Sequence, residues 1–211
     1  MTLGTAVLTF AVVAAALTVT PGLDTALVLR AALTRGRREA AATAAGIVGG
    51  LFVWAAAAAV GVSALLTASE LAYDLLRYAG AAYLVWFGIR LLIRALGGSA
   101  DDVVVGGGGA PSSVWRAARS GLATNLLNPK VGVFYVALLP QFLPTGSDPL
   151  LAGLLLAGVH ALLSTGWFAL LITLAALLSR WLRRPATVRA IDGVTGCVLI
   201  GFGARLALGR P

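Results

Sequence analysis

The sequence predicts an all-α integral membrane protein, with six transmembrane helices arranged as two three-helix halves and breaks in the first and fourth helices. Three observations predict it. Charged residues make up 11% of the 211-residue chain and hydrophobic residues 59%, with a mean hydropathy of +0.94. A soluble domain carries about 25% charged residues, because it has a water-facing surface to cover. Apolar stretches of the length that crosses a bilayer, about 20 residues each, recur along the whole chain. Prolines beside polar residues interrupt the first and the fourth of them, at Thr20-Pro21-Gly22-Leu23-Asp24 and Asn128-Pro129-Lys130.

The six apolar segments run roughly over 3–29, 40–66, 71–93, 121–143, 150–178 and 190–208. The first lacks the Lys/Arg-rich start of a secretory signal and leads straight into a polar motif, so it reads as a retained membrane helix. It is longer than the bilayer requires, and Pro21-Gly22 breaks or tilts it. The stretch 97–113 (GGSADDVVVGGGGAPSS) is low in complexity and reads as a flexible cytoplasmic linker between the halves 1–96 and 114–211. Three helices per half would set related halves in opposite directions across the membrane. That is the inverted-repeat plan of many secondary transporters, whose discontinuous helices carry the binding site near the midplane. The matching positions of the two breaks support this plan better than the weak similarity between the halves does.

The net charge of +8 does not point to nucleic acid, because the basic residues sit in short clusters between apolar stretches rather than in one basic domain. One side of the six-helix arrangement collects Arg30, Arg35, Arg37, Arg38, Arg90, Arg94, Arg116, Arg119, Arg180, Arg183, Arg184 and Arg189. The other carries Arg205 and Arg210 near the C-terminus, with Glu70, Asp74 and Asp148 in its loops. The positive-inside rule then places both termini outside the cytoplasm, in a multi-pass protein of the bacterial inner membrane. Cys197 and His160 are the one cysteine and the one histidine, too few for an intrachain disulfide or a structural zinc site. No metal site and no cofactor is expected.

Asp24 is an acid inside an apolar segment, which costs about 2.5–3.5 kcal/mol on insertion scales unless a partner or a role offsets it. It is read either as the binder of a substrate ammonium or a cycling proton, or as an interfacial charge near Arg30. Pro21 leaves backbone groups without helical partners, which can then bind a ligand or a coupling ion, and Thr20 beside it is a further candidate binding residue. Asn125, Asn128 and Lys130 surround Pro129 in the second break, and the two asparagines are spaced to share a helix face. Lys130 would meet a substrate carboxylate or pair with Asp24; the plainer reading lets it snorkel to the cytoplasmic headgroups. His160 lies mid-segment with Ser164 one turn later, fit for a proton relay or for a buried neutral ring bonded to Ser164 or a backbone carbonyl. Gly46-xxx-Gly50 has the spacing of close helix packing in lipid, and such small-residue faces are compatible with a homodimer. The tryptophans Trp54, Trp86, Trp115, Trp167 and Trp181 read as interface anchors or packing residues.

Three strings, TPGLDTALVLRAALTRGRREAAATAAGIVGG, YAGAAYLVWFGIRLL and RSGLATNLLNPKVGVFYVALLPQF, resemble the LysE/RhtB-type (lysine exporter/homoserine–threonine resistance) family. The resemblance covers almost the whole chain in order and spacing, and TNLLNPK and Pro140-Gln141-Phe142 are its most specific parts. It implies six membrane helices and export of amino acids or related metabolites driven by the proton gradient. It also carries Asp24 over as the acid of the first motif and Asn128, Pro129 and Lys130 as the second. The first motif usually reads Pro-Gly-Pro-Asp; Leu23 here replaces its second proline, which keeps the acid but leaves the break less rigid.

The function expected is therefore secondary active export of a small amphipathic solute, with an amino acid as cargo and a proton as coupling ion. Alternatives are export of a divalent cation or another metabolite, a membrane-embedded enzyme, or a passive channel. The enzyme is disfavoured because one His, one Cys and few acids leave almost nothing from which to build a catalytic set.

Overall fold

A computed structural model of the chain describes residues 2–68, 70–97, 113–144, 146–175, 177 and 184–208. The described residues form helices and connecting turns, with no strand. Most of the Gly-rich stretch 97–113, together with Arg180, Trp181, Arg183 and Arg210, lies outside them.

Proline sets the boundaries. Helix α1 (Leu3–Val19) opens on Thr2, whose side chain accepts from the Thr5 amide, and stops before Pro21. Proline has no amide hydrogen to continue the ladder and disfavours helical geometry in the residue before it. α2 (Leu23–Thr34) restarts after Gly22, bent 53° away from α1. Arg35 and Gly36 close α2 with amides to the Ala31 carbonyl, and Gly36 turns the chain at a φ of 91°. α3 (Arg37–Ala68) and α4 (Glu70–Gly97) follow. Glu70 and Asp74 are thus helical, not loop residues. α5 (Val114–Leu126) ends before the second proline, and α6 (Pro129–Val133) begins on it, with the two pieces bent by 54°.

α6 does not run on as a regular helix. It widens into a π turn over Phe134–Leu138 and tightens into a 3₁₀ turn over Leu139–Phe142. Pro140 accounts for the change, because its ring opposes the carbonyl four residues back and it donates no bond there. α7 (Pro149–Thr173) starts cleanly, with Asp148 accepting from the Leu151 amide and Pro149 in the first turn. α8 (Pro185–Leu208) completes the chain.

Among the described residues, two helical stretches are long and apolar enough to cross a membrane, Arg37–Gly61 of α3 and α7, or up to four spans if each bent pair is one. Along its length α4 carries Glu70, Asp74, Arg77, Arg90 and Arg94, and α8 carries Arg189, Asp192 and Arg205. Outward-facing apolar side chains such as Leu8, Val12, Leu151 and Leu162 are exposed along α1 and α7, as expected of surfaces solvated by lipid rather than water.

Packing crosses the midpoint of the chain. α3 lies along α5 and α7, α1 rests on α7, and α4 pairs with α8. Small residues permit these approaches. A Cβ built on Gly46 would run into the Ala118 carbonyl oxygen, and one on Gly121 into the Thr43 carbonyl oxygen. The backbones of α3 and α5 therefore touch. α4 and α8 meet in the same way, since a Cβ on Gly88 or Gly196 would stand 2.8 or 2.7 Å from the other's carbonyl oxygen. The main core gathers Phe10, Phe134, Tyr135, Phe142, Leu138 and Leu156 inside α1, α6 and α7.

Gly46→Ala should therefore lower the melting temperature of the detergent-solubilised protein, by the equivalent of about 1–3 kcal/mol for an overpacked contact. Gly49→Ala should leave it unchanged or raise it slightly, because nothing lies within 4 Å of a Cβ at Gly49 and alanine is the better helix former. Equal melting of the two variants would refute the close α3–α5 contact.

Candidate functional site

A broken helix leaves carbonyls without partners at the end of its first piece and amides without partners at the start of its second. The structure brings the two breaks of this chain against each other. Asp24 sits in the first turn of α2, where the positive end of the helix dipole favours an acid. Asn125 Nδ2 donates to its Oδ2 at 2.9 Å, and Asn128 Nδ2 donates to its Oδ1 at 3.2 Å. The acid of the first break is held by the amides of the second.

The reverse contact is made by Lys130. Its Nζ donates to the Leu17 carbonyl at 3.2 Å and to the Thr20 carbonyl at 3.1 Å. Both oxygens belong to the C-terminal end of α1, the negative end of that helix, where a cation is favoured. Gly22 leaves room for the ammonium: a Cβ there would stand 3.0 Å from Lys130 Nζ. Lys130 thus turns inward rather than snorkelling to the headgroups. Its hydrogen bonds go to backbone carbonyls rather than to the Asp24 carboxylate.

The asparagines have second duties. Asn128 is the N-cap of α6, its Oδ1 accepting from the Lys130 amide at 3.1 Å. Pro129 follows it at the first helical position, where its missing amide hydrogen has no consequence. Asn125 and Asn128 do not share one continuous helix face, as their spacing predicted, because α5 has ended between them. Trp54 Nε1 of α3 donates to the Asn125 carbonyl at 3.3 Å. The side chain of Asn125 lies over Gly50, where any Cβ would collide with it. Its Oδ1 is buried and has no hydrogen-bond partner, a free acceptor inside the cluster.

Thr20 joins the cluster through α8. Its hydroxyl donates to the Ala16 carbonyl at 2.7 Å and lies 2.6 Å from the Thr195 hydroxyl, which leaves Thr195 as the donor between them. His160 is buried beside the cluster rather than in it. Its Nδ1 pairs with the Tyr135 hydroxyl at 3.1 Å, and the two rings stack with centroids 5.8 Å apart. Phe10 and Phe134 pack edge-on against the imidazole. Ser164, the partner expected from helix spacing, instead faces Thr18 at 3.5 Å. A shared helix face fixes neither the rotamer nor the bond.

Of the residues singled out in the sequence, Thr20, Pro21, Gly22, Asp24, Asn125, Asn128, Pro129 and Lys130 come together, and His160 stands next to them. Sequence reasoning missed Tyr135, Thr195 and Asp192. Asp192 lies inside the last apolar segment and is only 6% exposed, so the rule that drew attention to Asp24 would have found it. A separate cavity of about 320 Å³ opens between α1 and α7, lined by Ala15, Thr18, Leu163, Gly166, Trp167 and Leu170 among others. Its mostly apolar wall sets it apart from the break cluster. Among the described residues no group of three or more His, Cys, Asp or Glu is placed to hold a metal ion.

Residues 15–210 match the LysE type translocator family. The chain belongs to that family. It is 32% identical over 199 residues to the homoserine/homoserine lactone efflux protein of Salmonella typhimurium, covering 92% of each chain. It is 30% identical over 201 residues to the leucine efflux protein of an Enterobacter species, covering 94% of this chain and 93% of that one. With the threonine efflux protein of Escherichia coli it shares 30% identity over 214 residues, 96% of this chain and 98% of the relative. No solved structure matches it. The family resemblance read from TNLLNPK and its neighbours thus holds, and this LysE-type translocator carries that string at the meeting point of its two breaks.

Replacing Asn128 separates its two duties. Asn128→Ala loses the cap and one donor to Asp24, whereas Asn128→Ser restores an oxygen that can cap α6. The serine variant should recover about 1 kcal/mol of stability over the alanine variant, the usual worth of a side-chain cap, measured by thermal melting in detergent. Equal stabilities would show that the Asn128 oxygen does not cap α6.

Proposed function

We propose that this chain is a secondary active exporter of amino acids in the bacterial inner membrane, working by alternating access around the paired breaks and coupled to proton entry. The observation that carries this reading is the reciprocal contact itself. A carboxylate and an ammonium lie side by side at helix breaks, each held by bonds that a zwitterion can replace one for one. The efflux names of the relatives, for homoserine, leucine and threonine, support the substrate class.

In this reading the substrate ammonium takes the place of the Asn125 and Asn128 amides on Asp24, with the free Asn125 Oδ1 as a further acceptor. The released amides and Lys130 then receive the substrate carboxylate. No charge is left without a partner at any stage, which matters because an unpaired buried charge is strongly destabilising. A proton arriving on Asp24 from outside would release the ammonium and reset the carrier. His160, the one imidazole of the chain, is the second candidate on the proton path, with Tyr135 as its contact. We place α1–α2 and α5–α6 as two broken spans, and α3, α4, α7 and α8 as the other four, in an inverted repeat of halves 1–96 and 114–211. The arginine asymmetry supports termini outside the cytoplasm.

The test is export from cells loaded with mixed dipeptides, following every extracellular amino acid by mass spectrometry. One or a few amino acids should appear faster with the protein present, and an uncoupler should stop them. Asp24→Asn should slow export about tenfold to a hundredfold, the range for losing a charged hydrogen-bond partner. His160→Gln should cost less than Asp24→Asn. Wild-type flux from Asp24→Asn would remove Asp24 from the mechanism, and flux indifferent to the uncoupler would remove proton coupling. No change in any amino acid would turn the search to other metabolites and divalent cations.

A further inference from the structure

Lys130 faces one acid that the second break accounts for, and another that nothing has yet explained. It is the single lysine among 16 basic residues. The other cations are arginines, whose guanidinium holds its proton in proteins, whereas a lysine amine can give its proton up when buried. The ammonium rests on the Thr20 carbonyl at 3.1 Å, and Thr20 is tied through its hydroxyl to Thr195 of α8 at 2.6 Å. Asp192 lies three residues before Thr195, one turn away on the same face of α8. All three of these groups are shut away from the surface: Thr20 is 1%, Thr195 2% and Asp192 6% exposed.

We propose that Asp192 is a positioning residue of the Lys130 site, the second carboxylate that keeps the ammonium compensated while Asp24 is occupied by substrate, held in place by the Thr20–Thr195 contact. This rests on the reading of the chain as an exporter. While the substrate ammonium sits on Asp24 and its carboxylate has not yet reached Lys130, the field of Asp24 at Lys130 is cancelled, and without a second acid the two α1 carbonyls alone would hold a buried cation. Asp192 interacts electrostatically with Lys130 and supplies the missing charge. It keeps Lys130 protonated to receive the substrate carboxylate. The charged and titratable groups around the ammonium are then Asp24 from α2, Asp192 from α8 and His160 from α7, with Arg94 of α4 interacting with Asp192 from behind. Asp24, Asp192, Lys130 and Arg94 sum to zero, so a net-neutral zwitterion enters without disturbing the charge of the site.

Because the chain has one lysine, its amine can be followed alone. Purified full-length protein in detergent is treated with an amine-acylating reagent at fixed pH, and the peptide containing Lys130 is quantified by mass spectrometry apart from the N-terminal amine. Only the neutral amine reacts. Asp192→Asn should raise Lys130 labelling severalfold, and Asp192→Glu should return it toward the wild-type rate. In the export assay Asp192→Asn should raise KM while leaving kcat near wild type, a split that a general loss of packing would not give. Unchanged labelling, or an unchanged KM, overturns the proposal. If Asp192→Asn does not remain monodisperse, Thr195→Val tests the same link by freeing α8 from the break, and labelling equal to wild type again overturns it. Failure of the wild-type chain to export any amino acid would sink the transport reading only, because the labelling comparison needs no substrate.

Discussion

The structure depends on the exchange of hydrogen bonds between its two broken helices. An acid and an ammonium in an apolar interior each need replacement for the water they have lost. Asp24 finds it in the two side-chain amides of the second break, and Lys130 finds it in two carbonyls of the first. The helix ends reinforce both choices, since the acid lies at a helix start and the ammonium at a helix end. Neither break could be kept open alone. Each exposes a charge that takes its hydrogen bonds from the other.

Much of the surrounding packing serves to hold the breaks at that distance. The touching backbones of α3 and α5 at Gly46 and Gly121 fix where the second break falls, and Gly50 sets the Asn125 side chain. Trp54 takes the Asn125 carbonyl, so the last turn of α5 is not left open to the interior. Below the cluster, Phe10, Phe134, Tyr135 and His160 form an aromatic floor with one polar bond inside it. The π and 3₁₀ turns before Phe142 bend this part of the chain without a further gap.

Charge also marks the pairing of α4 and α8, where Asp192 lies. These two helices pair closely through Gly88 and Gly196. Asp192 of α8 interacts electrostatically with Arg94 of α4 across that pair. Asp192 is buried against protein, as expected of an acid within an apolar helix.

The sequence by itself determined the membrane class, the family and the positions of both breaks, because composition, proline and intramembrane charge act locally and leave a local trace. It also marked Thr20, Asp24, Asn125, Asn128 and Lys130, since polar residues in apolar runs stand out one by one. It could not say what they bond to. The partners of Lys130 are backbone carbonyls, which every residue has and no sequence distinguishes. The partner of His160 is Tyr135 of another helix rather than Ser164 of its own turn, because helical spacing tells which face a side chain shares and not which way it turns. Thr195 and Asp192 lie more than 160 residues from the first break they adjoin, and only the packing of α8 against α1 brings them there. Pairing across the fold is a property of the tertiary structure, and in this protein the site consists of such pairings.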